Sequence, residues 1–381
     1  MRRAFDVFAP VNLSFGEGKL HLLANQASQQ NQHHVALLCS KTVAKSDNFA
    51  AFEIALQEAK LRWDVSIVSG EPTVQSVDEM SSAIANTKAD VVIGLGGGSV
   101  LDTAKAAAVM VPLWRKGGKP SVQEYLEGVG TKKAPETRMP LYLAPTTAGT
   151  GSEATTNAVI SQVGPSGFKK SLRHSAYAPD YVVIDPLLAI GLPKKQTAAS
   201  GMDALTQLLE AYVSVRTNCF IQSLALKAIE LLGKALHTIL TTEADTVELR
   251  SDAAYGAYIS GIAIANAGLG YVHGLAGPMG ALHHIPHGVA CGMLTSPINK
   301  ALKEVASSDS SFLLDMNTVG QRWNADPFEF LAELTDLADF PSLASYGFSD
   351  EQLVQLSKHN VKRDSPLELS EATLLRILQE L

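Results

Sequence analysis

The sequence predicts an α/β domain built on a parallel sheet, followed by an all-helical domain. Two observations carry this. Through the first half, short runs of Val, Ile and Leu alternate with amphipathic stretches, the rhythm of βαβ units. From about residue 190 long helical periods take over and strand-like runs nearly vanish. With 381 residues, 46% hydrophobic and 18% charged, the chain has material for two packed domains and lacks the balance of a disordered one.

Residues 35–39 read as a buried strand and residues 46–61 as a helix anchored by Phe49, Phe52, Leu56 and Leu61. Residues 65–68 are a second strand and 76–87 a second helix. Residues 91–95 are a third strand, running into a glycine turn and an alanine-rich helix. Residues 117–138, rich in Gly, Lys and Pro, form an excursion loop, and 141–144 return as a strand before a Thr/Gly turn. The boundary falls near Asp185-Pro186, giving domains 1–187 and 188–381, the second carrying helices over 196–215, 219–240, 246–267 and 350–359. No internal repeat or low-complexity tract interrupts this order.

Several classes are argued against. A net charge of −7 is unsuited to a phosphate-backbone binder. Cys39, Cys219 and Cys291 are odd in number, far apart and without a CxxC pair, which argues against a disulfide framework or a thiolate zinc cage and for a reducing compartment. No apolar segment follows the opening Met1-Arg2-Arg3, and no run approaches the roughly 18 apolar residues of a membrane span. The expected location is the cytoplasm, without nucleic-acid or membrane partners.

Two turns carry chemistry. Gly96-Gly97-Gly98-Ser99 follows a strand and opens the helix containing Asp102 and Lys105. Glycines there permit positive φ and close backbone approach, Ser99 is a candidate helix cap, and a helix start offers free N–H groups to an anion such as a pyrophosphate. The spacing is not GxGxxG. A second turn, residues 145–153, also follows a strand and is dense in hydroxyls and glycine. Two such loops at strand C-termini mark the crevice where α/β sheets hold nucleotides, so the first domain is expected to bind a dinucleotide. Taken alone, each also reads as an ordinary polar turn.

Histidines number ten, and His273, His283, His284 and His287 fall in one window. His273 and His287 are fourteen apart (287 − 273), a helix plus a turn. Two imidazoles with a carboxylate form a common set for divalent zinc or iron. Asp203 is the carboxylate candidate, with Gln207 one helical turn further on the same face. Asp203 equally suits a helix N-terminus, and His283 and His284 equally suit a solvated loop.

In order, GGGSVLDTAKA, PTTAGTGSEAT, IDP, GMDALTQLLEAYVS and GLGYVHGLAGPMGALHHIPHG resemble the motifs of the iron-containing (group III) alcohol dehydrogenases, over about residues 10–300. The resemblance implies the dehydroquinate synthase-like/iron alcohol dehydrogenase fold and a metal-dependent hydride transfer between an alcohol or aldehyde and NAD or NADP. It also implies a homodimer or larger assembly and an active site between the domains. Gly97, Gly98, Ser99 and Asp102 would hold the pyrophosphate and nicotinamide ribose, and Thr146, Thr147 and Lys169 the rest of the cofactor. Asp203, His273 and His287 match metal ligands, with Gln207 in the position of a fourth, and form the catalytic centre.

Three departures stand out. Gln207 occupies a position where iron-binding members usually have His, which moves the expectation towards zinc or a three-ligand site. Gly277 replaces a histidine beside the nicotinamide, leaving His283 or His284 as candidate proton carriers and widening the cleft. Ser40, followed by Lys41, stands where NAD-preferring members often carry Asp, so NAD and NADP both stay open. The Gln-bearing pattern resembles a subgroup acting on acidic sugars such as 3-deoxy-octulosonate, for which Lys170, Arg173 and His174 would offer a cationic edge. The rival readings are a dehydroquinate-synthase-like lyase using NAD and a metal, and a degenerate binding protein that has lost its metal.

Overall fold

Five consecutive buried residues in β2 (His34–Ser40) mark a central strand covered on both faces. In the computed structural model, which describes residues 4–9, 12–162, 167–358 and 361–381, that strand lies inside a six-stranded parallel sheet. The other members are β1 (Leu13–Phe15), β3 (Arg62–Val68), β4 (Val91–Gly96), β5 (Leu141–Pro145) and β8 (Tyr181–Ile184), in the order β1-β8-β5-β4-β2-β3. Side-chain alternation along β2 feeds two cores. Val35, Leu37 and Cys39 pack with Phe49, Phe52 and Leu56, whereas Ala36 and Leu38 pack with Leu101 and Ala104. The helices supplying these partners, with their neighbours, are α1 (Leu22–Gln29), α2 (Asp47–Glu58), α3 (Val74–Ala85) and α4 (Gly98–Arg115). Ser46 starts α2 by accepting from the Phe49 N–H, and Thr73 and Ser76 close a capping box on α3.

The expected βαβ order holds, and the 117–138 stretch contains one short 3₁₀ turn, Val122–Tyr125. Two features were not anticipated. The edge strand β1 has only three residues, too few for a period to show. An antiparallel ribbon of β6 (Asn157–Gln162) and β7 (Phe168–Arg173) projects after the second polar turn, and the β7 sequence FKKSLR has little of a buried strand's character. Met1–Arg3, where the expectation of no leader begins, and residue 359, the end of the expected 350–359 helix, lie outside the described residues.

The second half is helical: α5 (Lys194–Val213), α6 (Cys219–Thr242), α7 (Val247–Ala267), α8 (Tyr271–Leu282), α9 (His287–Val305), α10 (Ser311–Trp323), α11 (Pro327–Ala338), α12 (Asp350–Lys358) and α13 (Glu371–Glu380). Asn218 caps α6 and Thr246 caps α7. Buried Arg250 of α7 donates to Asp245 at 2.6 Å and to Thr197 of α5 at 2.9 Å, fixing the two helix starts together. Among the described residues no single helix is long and apolar enough to cross a membrane.

One contact sets how the halves meet. Gly151, at φ +59° in the turn after β5, lies directly against Gly261 of α7, and a Cβ on either would overlap the other's backbone. Glycine at both positions allows the Thr/Gly loop to lie on the helical half, bringing the carboxyl ends of the strands over α5 and α9.

A candidate active site in the interdomain cleft

A cleft of about 990 Å³ runs between the strand ends and the helical half. Its walls include Ser40 at the end of β2, Gly97, Gly98 and Ser99 at the start of α4, Thr146 and Thr147 after β5, and Asp203 and His287 from the helical side. Both polar turns therefore open on one cavity. The glycines work by close approach, not by unusual dihedrals. Gly97 has φ −73°, and no positive φ occurs at Gly96, Gly97 or Gly98. A Cβ on Gly96 would meet Val100 Cγ2 at 2.5 Å, and one on Gly98 would meet Thr150 Cγ2 at 2.5 Å. Ser99 is not the cap expected of it: the N-cap is Gly97, and Ser99, in the first turn, faces the cleft.

Asp102 and Lys169 do not line this cavity. The Asp102 carboxylate accepts from Ser152 Oγ at 2.6 Å and from the Val159 N–H at 3.0 Å, so it braces the Thr/Gly loop and the ribbon. Lys105, fully buried below it, donates to Thr155 Oγ1 at 2.9 Å and to the Asn157 carbonyl at 2.7 Å. Burial pulls the Lys105 amine down to about 8, against the opposing pull of Asp102. Lys169 is paired at 2.9 Å with Glu71, a cleft-lining carboxylate. Burial raises the Glu71 pKa, but Lys169 outweighs that and holds it below the ordinary carboxylate range.

The expected cationic edge is not at the cleft either. Arg173 is paired with Glu127 at 3.0 Å, His174 accepts from the Ala176 N–H at 3.1 Å, and Lys170 is absent from the lining. Of the two candidate proton carriers, His283 lies against the Phe348 ring at 4.2 Å and contacts Gln352. His284 is exposed and does line the cleft.

At the floor, α5, α8 and α9 bring four donor atoms together, from Asp203, His273, His287 and Cys291, all within 4.8 Å of one another. His273 Nε2 stands 3.2 Å from Asp203 Oδ1, and His287 Nε2 stands 3.8 Å from the same oxygen. This donor set, a carboxylate, two imidazoles and a sulfur around one point, fits a divalent ion. Burial alone would raise Asp203, but His287, His273 and Gln207 overcome it and pull its pKa down to about 2. Burial and the nearby Lys169 charge take His287 down to about 4, which keeps its imidazole neutral and free to donate a lone pair. Burial opposes a charge on His273, yet Cys291, Glu210 and Asp203 raise its pKa well above the ordinary value.

Gln207 departs from its expected role. Its amide oxygen accepts from Ser260 Oγ of α7 at 2.7 Å, and its nitrogen donates to Asp203 Oδ1 at 3.1 Å. The amide thus links Asp203 to Ser260 of α7.

The model for "Iron-containing alcohol dehydrogenase" matches residues 10–186, and that for "Fe-containing alcohol dehydrogenase family, C-terminal" matches residues 197–380. This chain belongs to the iron-containing alcohol dehydrogenase family. The match covers the final eighty or so residues too, where sequence motifs had offered little. Long-chain-alcohol dehydrogenase 1 of Geobacillus thermodenitrificans is 31% identical over 98% of this chain and 95% of its own length. Lactaldehyde reductase of Escherichia coli is 31% identical over 74% and 71%. Among solved structures, sulfoacetaldehyde reductase from Bifidobacterium kashiwanohense in complex with NAD+ superposes with a TM-score of 0.85 at 26% identity, covering 100% of this chain and 99% of that one. An alcohol dehydrogenase from Oenococcus oeni gives 0.84 at 26%, covering 99% and 100%. The family pairs NAD(H) with a divalent metal and oxidises alcohols or reduces aldehydes. Membership in a dehydrogenase family argues against the lyase reading, and the intact donor cluster against a degenerate binding protein.

Three residues of this family member's site escaped sequence reasoning. Glu210 accepts from His273 Nδ1 at 2.7 Å and, through its other oxygen, from the Val272 N–H at 2.7 Å. It lies seven residues after Asp203 on the same helix, a spacing that returns to the same face. Cys291 lies one turn after His287 on α9. Glu71 has no motif to announce it.

Proposed function

We propose that this chain transfers a hydride between an alcohol and NAD or NADP in the cleft between residues 1–187 and 188–381, with a divalent metal held by Asp203, His273 and His287. One observation carries the reading: Asp203 and His287 of the donor cluster line the same 990 Å³ cavity as the glycine turn. In this reading Ser40 meets the adenosine ribose and the α4 start at Gly97–Ser99 meets the pyrophosphate. Thr146 and Thr147 meet the nicotinamide half, while Asp102 and Lys169 act from behind the wall, through Ser152 and Glu71.

When bound, the ion supplies Lewis-acid polarisation of the substrate oxygen and the nicotinamide supplies or takes the hydride. The chain's residues do the remaining work. Asp203 stays ionised and His287 neutral across the physiological range. Glu210 holds the proton of His273 on Nδ1, leaving Nε2 directed at the cluster. Gly277 offers no proton carrier, and a Cβ there would meet nothing within 4 Å. His284, exposed and lining the same cleft, is the candidate carrier of the hydroxyl proton to solvent.

Gly277 does not line the cleft, so the expected widening there is not found, and a polyol or sugar in place of the smallest alcohols rests on the resemblance of the Gln-bearing pattern. The acid-sugar reading loses its cationic edge, because Arg173 is engaged by Glu127. A homodimer or larger assembly in the cytoplasm completes the proposal. The test is metal analysis of the purified protein together with an alcohol, polyol and sugar-acid panel using both cofactors, repeated on Asp203→Ala, His273→Ala and His287→Ala. Turnover should need bound metal and vanish in all three folded variants. Stoichiometric metal retained in all three would refute the assignment.

A further inference from the structure

We propose that Cys291 is the fourth donor of the metal centre, making it a carboxylate, two-imidazole and thiolate site that favours zinc. The inference rests on the reading that Asp203, His273 and His287 hold a metal. It replaces Gln207, the residue that the chain order places where a fourth ligand is expected.

The placement follows from the helix. His287 opens α9, and Cys291 stands one turn later on the same face, fully buried at 0% exposure. Its sulfur is 3.6 Å from His273 Nε2 and 3.7 Å from His287 Nε2. Those separations are informative. Around a tetrahedral ion with bonds of about 2.0–2.1 Å to nitrogen or oxygen and about 2.3 Å to sulfur, nitrogen and sulfur stand roughly 3.5–3.6 Å apart, and nitrogen and oxygen roughly 3.3–3.4 Å. The sulfur–nitrogen edges here are 3.6 and 3.7 Å, and the nitrogen–oxygen edges are 3.2 and 3.8 Å. Four of the six edges are thus close to those of such a polyhedron, and the remaining two are no longer than 4.8 Å.

A buried free cysteine usually serves as a small apolar residue. Cys39 does so, packed in the core of the sheet. Cys291 differs because its sulfur touches two imidazole nitrogens that each point at a carboxylate. The amide of Gln207, by contrast, spends its oxygen on Ser260 and its nitrogen on Asp203. A coordinating thiol gives up its proton to the ion's field, and a soft thiolate in place of a harder donor selects zinc.

The full-length protein, stripped of metal by a chelator and reloaded with Co(II), tests this. The wild type should bind one cobalt per chain and show a sulfur-to-cobalt charge-transfer absorption in the near ultraviolet. That band should persist in Gln207→Ala and in Cys219→Ser, whose cysteine is exposed on α6, and disappear in Cys291→Ser while cobalt remains bound. Zinc affinity of Cys291→Ser, by chelator competition, should fall at least as far as loss of an outer-shell partner, about 10–100-fold. One cobalt bound to the wild type without the sulfur band overturns the proposal, whatever the variants do. So does a band that survives in Cys291→Ser, or a pattern in which Gln207→Ala weakens zinc and Cys291→Ser does not. A wild type that binds no cobalt or zinc overturns the underlying metal reading as well, which the stoichiometry separates from failure of the sulfur assignment alone.

Discussion

Replacing Glu210 with Gln should cost metal affinity without unfolding the protein, and the size of the loss follows from two hydrogen bonds. One carboxylate oxygen accepts from His273 Nδ1 at 2.7 Å and the other from the Val272 N–H at 2.7 Å, with the carboxylate 10% exposed. Gln has the same shape but only one acceptor. If its oxygen keeps Val272, its amide nitrogen faces His273 Nδ1 as a donor. The imidazole must then move its proton to Nε2, the nitrogen that faces Asp203 at 3.2 Å, and Nε2 can no longer donate a lone pair. If the oxygen turns to His273, the Val272 N–H meets a second donor. Either way one hydrogen bond to a charged acceptor is lost, worth about 1.5–3 kcal/mol. That corresponds to roughly 10–150-fold in zinc affinity. The assay is zinc competition against a chromophoric chelator at pH 7, with helical content and nucleotide affinity as controls that should not move. A shift below about threefold, under ~0.7 kcal/mol, would mean that Glu210 does not fix the His273 tautomer.

Gly98→Val should abolish nucleotide binding in a fluorescence titration while the helical half stays folded, because a Cβ there meets Thr150 Cγ2 at 2.5 Å and fills the approach to the α4 start; unchanged affinity would remove the turn from the cofactor site. Ser40→Asp should move the kcat/KM ratio towards NAD by about fivefold, from a contact of about 1 kcal/mol between partly exposed groups. A ratio that stays put would show that Ser40, though it lines the cleft, does not face the ribose. Asp245→Asn should destabilise the chain near neutral pH by about 1 kcal/mol, since Asp245 accepts from the buried Arg250 at 2.6 Å but is itself exposed to solvent screening. The Arg250 hydrogen bond lowers the Asp245 pKa, so its contribution is complete above the ordinary carboxylate value of 3.8 and fades as pH falls through the lowered native value. Denaturation curves of variant and parent should therefore converge in acid, and a gap independent of pH would argue that the ion pair is not the cause.

What the sequence determined by itself was set by local rules. The five buried residues inside β2, the glycine turn after β4 and the long apolar periods of α5, α6 and α7 were legible because side-chain periodicity and turn chemistry act within a few residues. The positions of Asp203, His273 and His287 were legible through motif order. Tertiary structure decided what those residues face. Asp102 looked like a cofactor contact until Ser152 and Val159, fifty or more residues away in sequence, took its oxygens. Gln207 looked like a ligand until Ser260 of another helix took its oxygen. The wide spacing of the cysteines gave Cys291 no partner, and only the meeting of α8 with α9 put its sulfur beside two imidazoles. The difference is physical: periodicity tells which face of an element is buried, whereas a hydrogen bond or metal site needs the partner atom, and partners distant in sequence are fixed only when helices and strands pack.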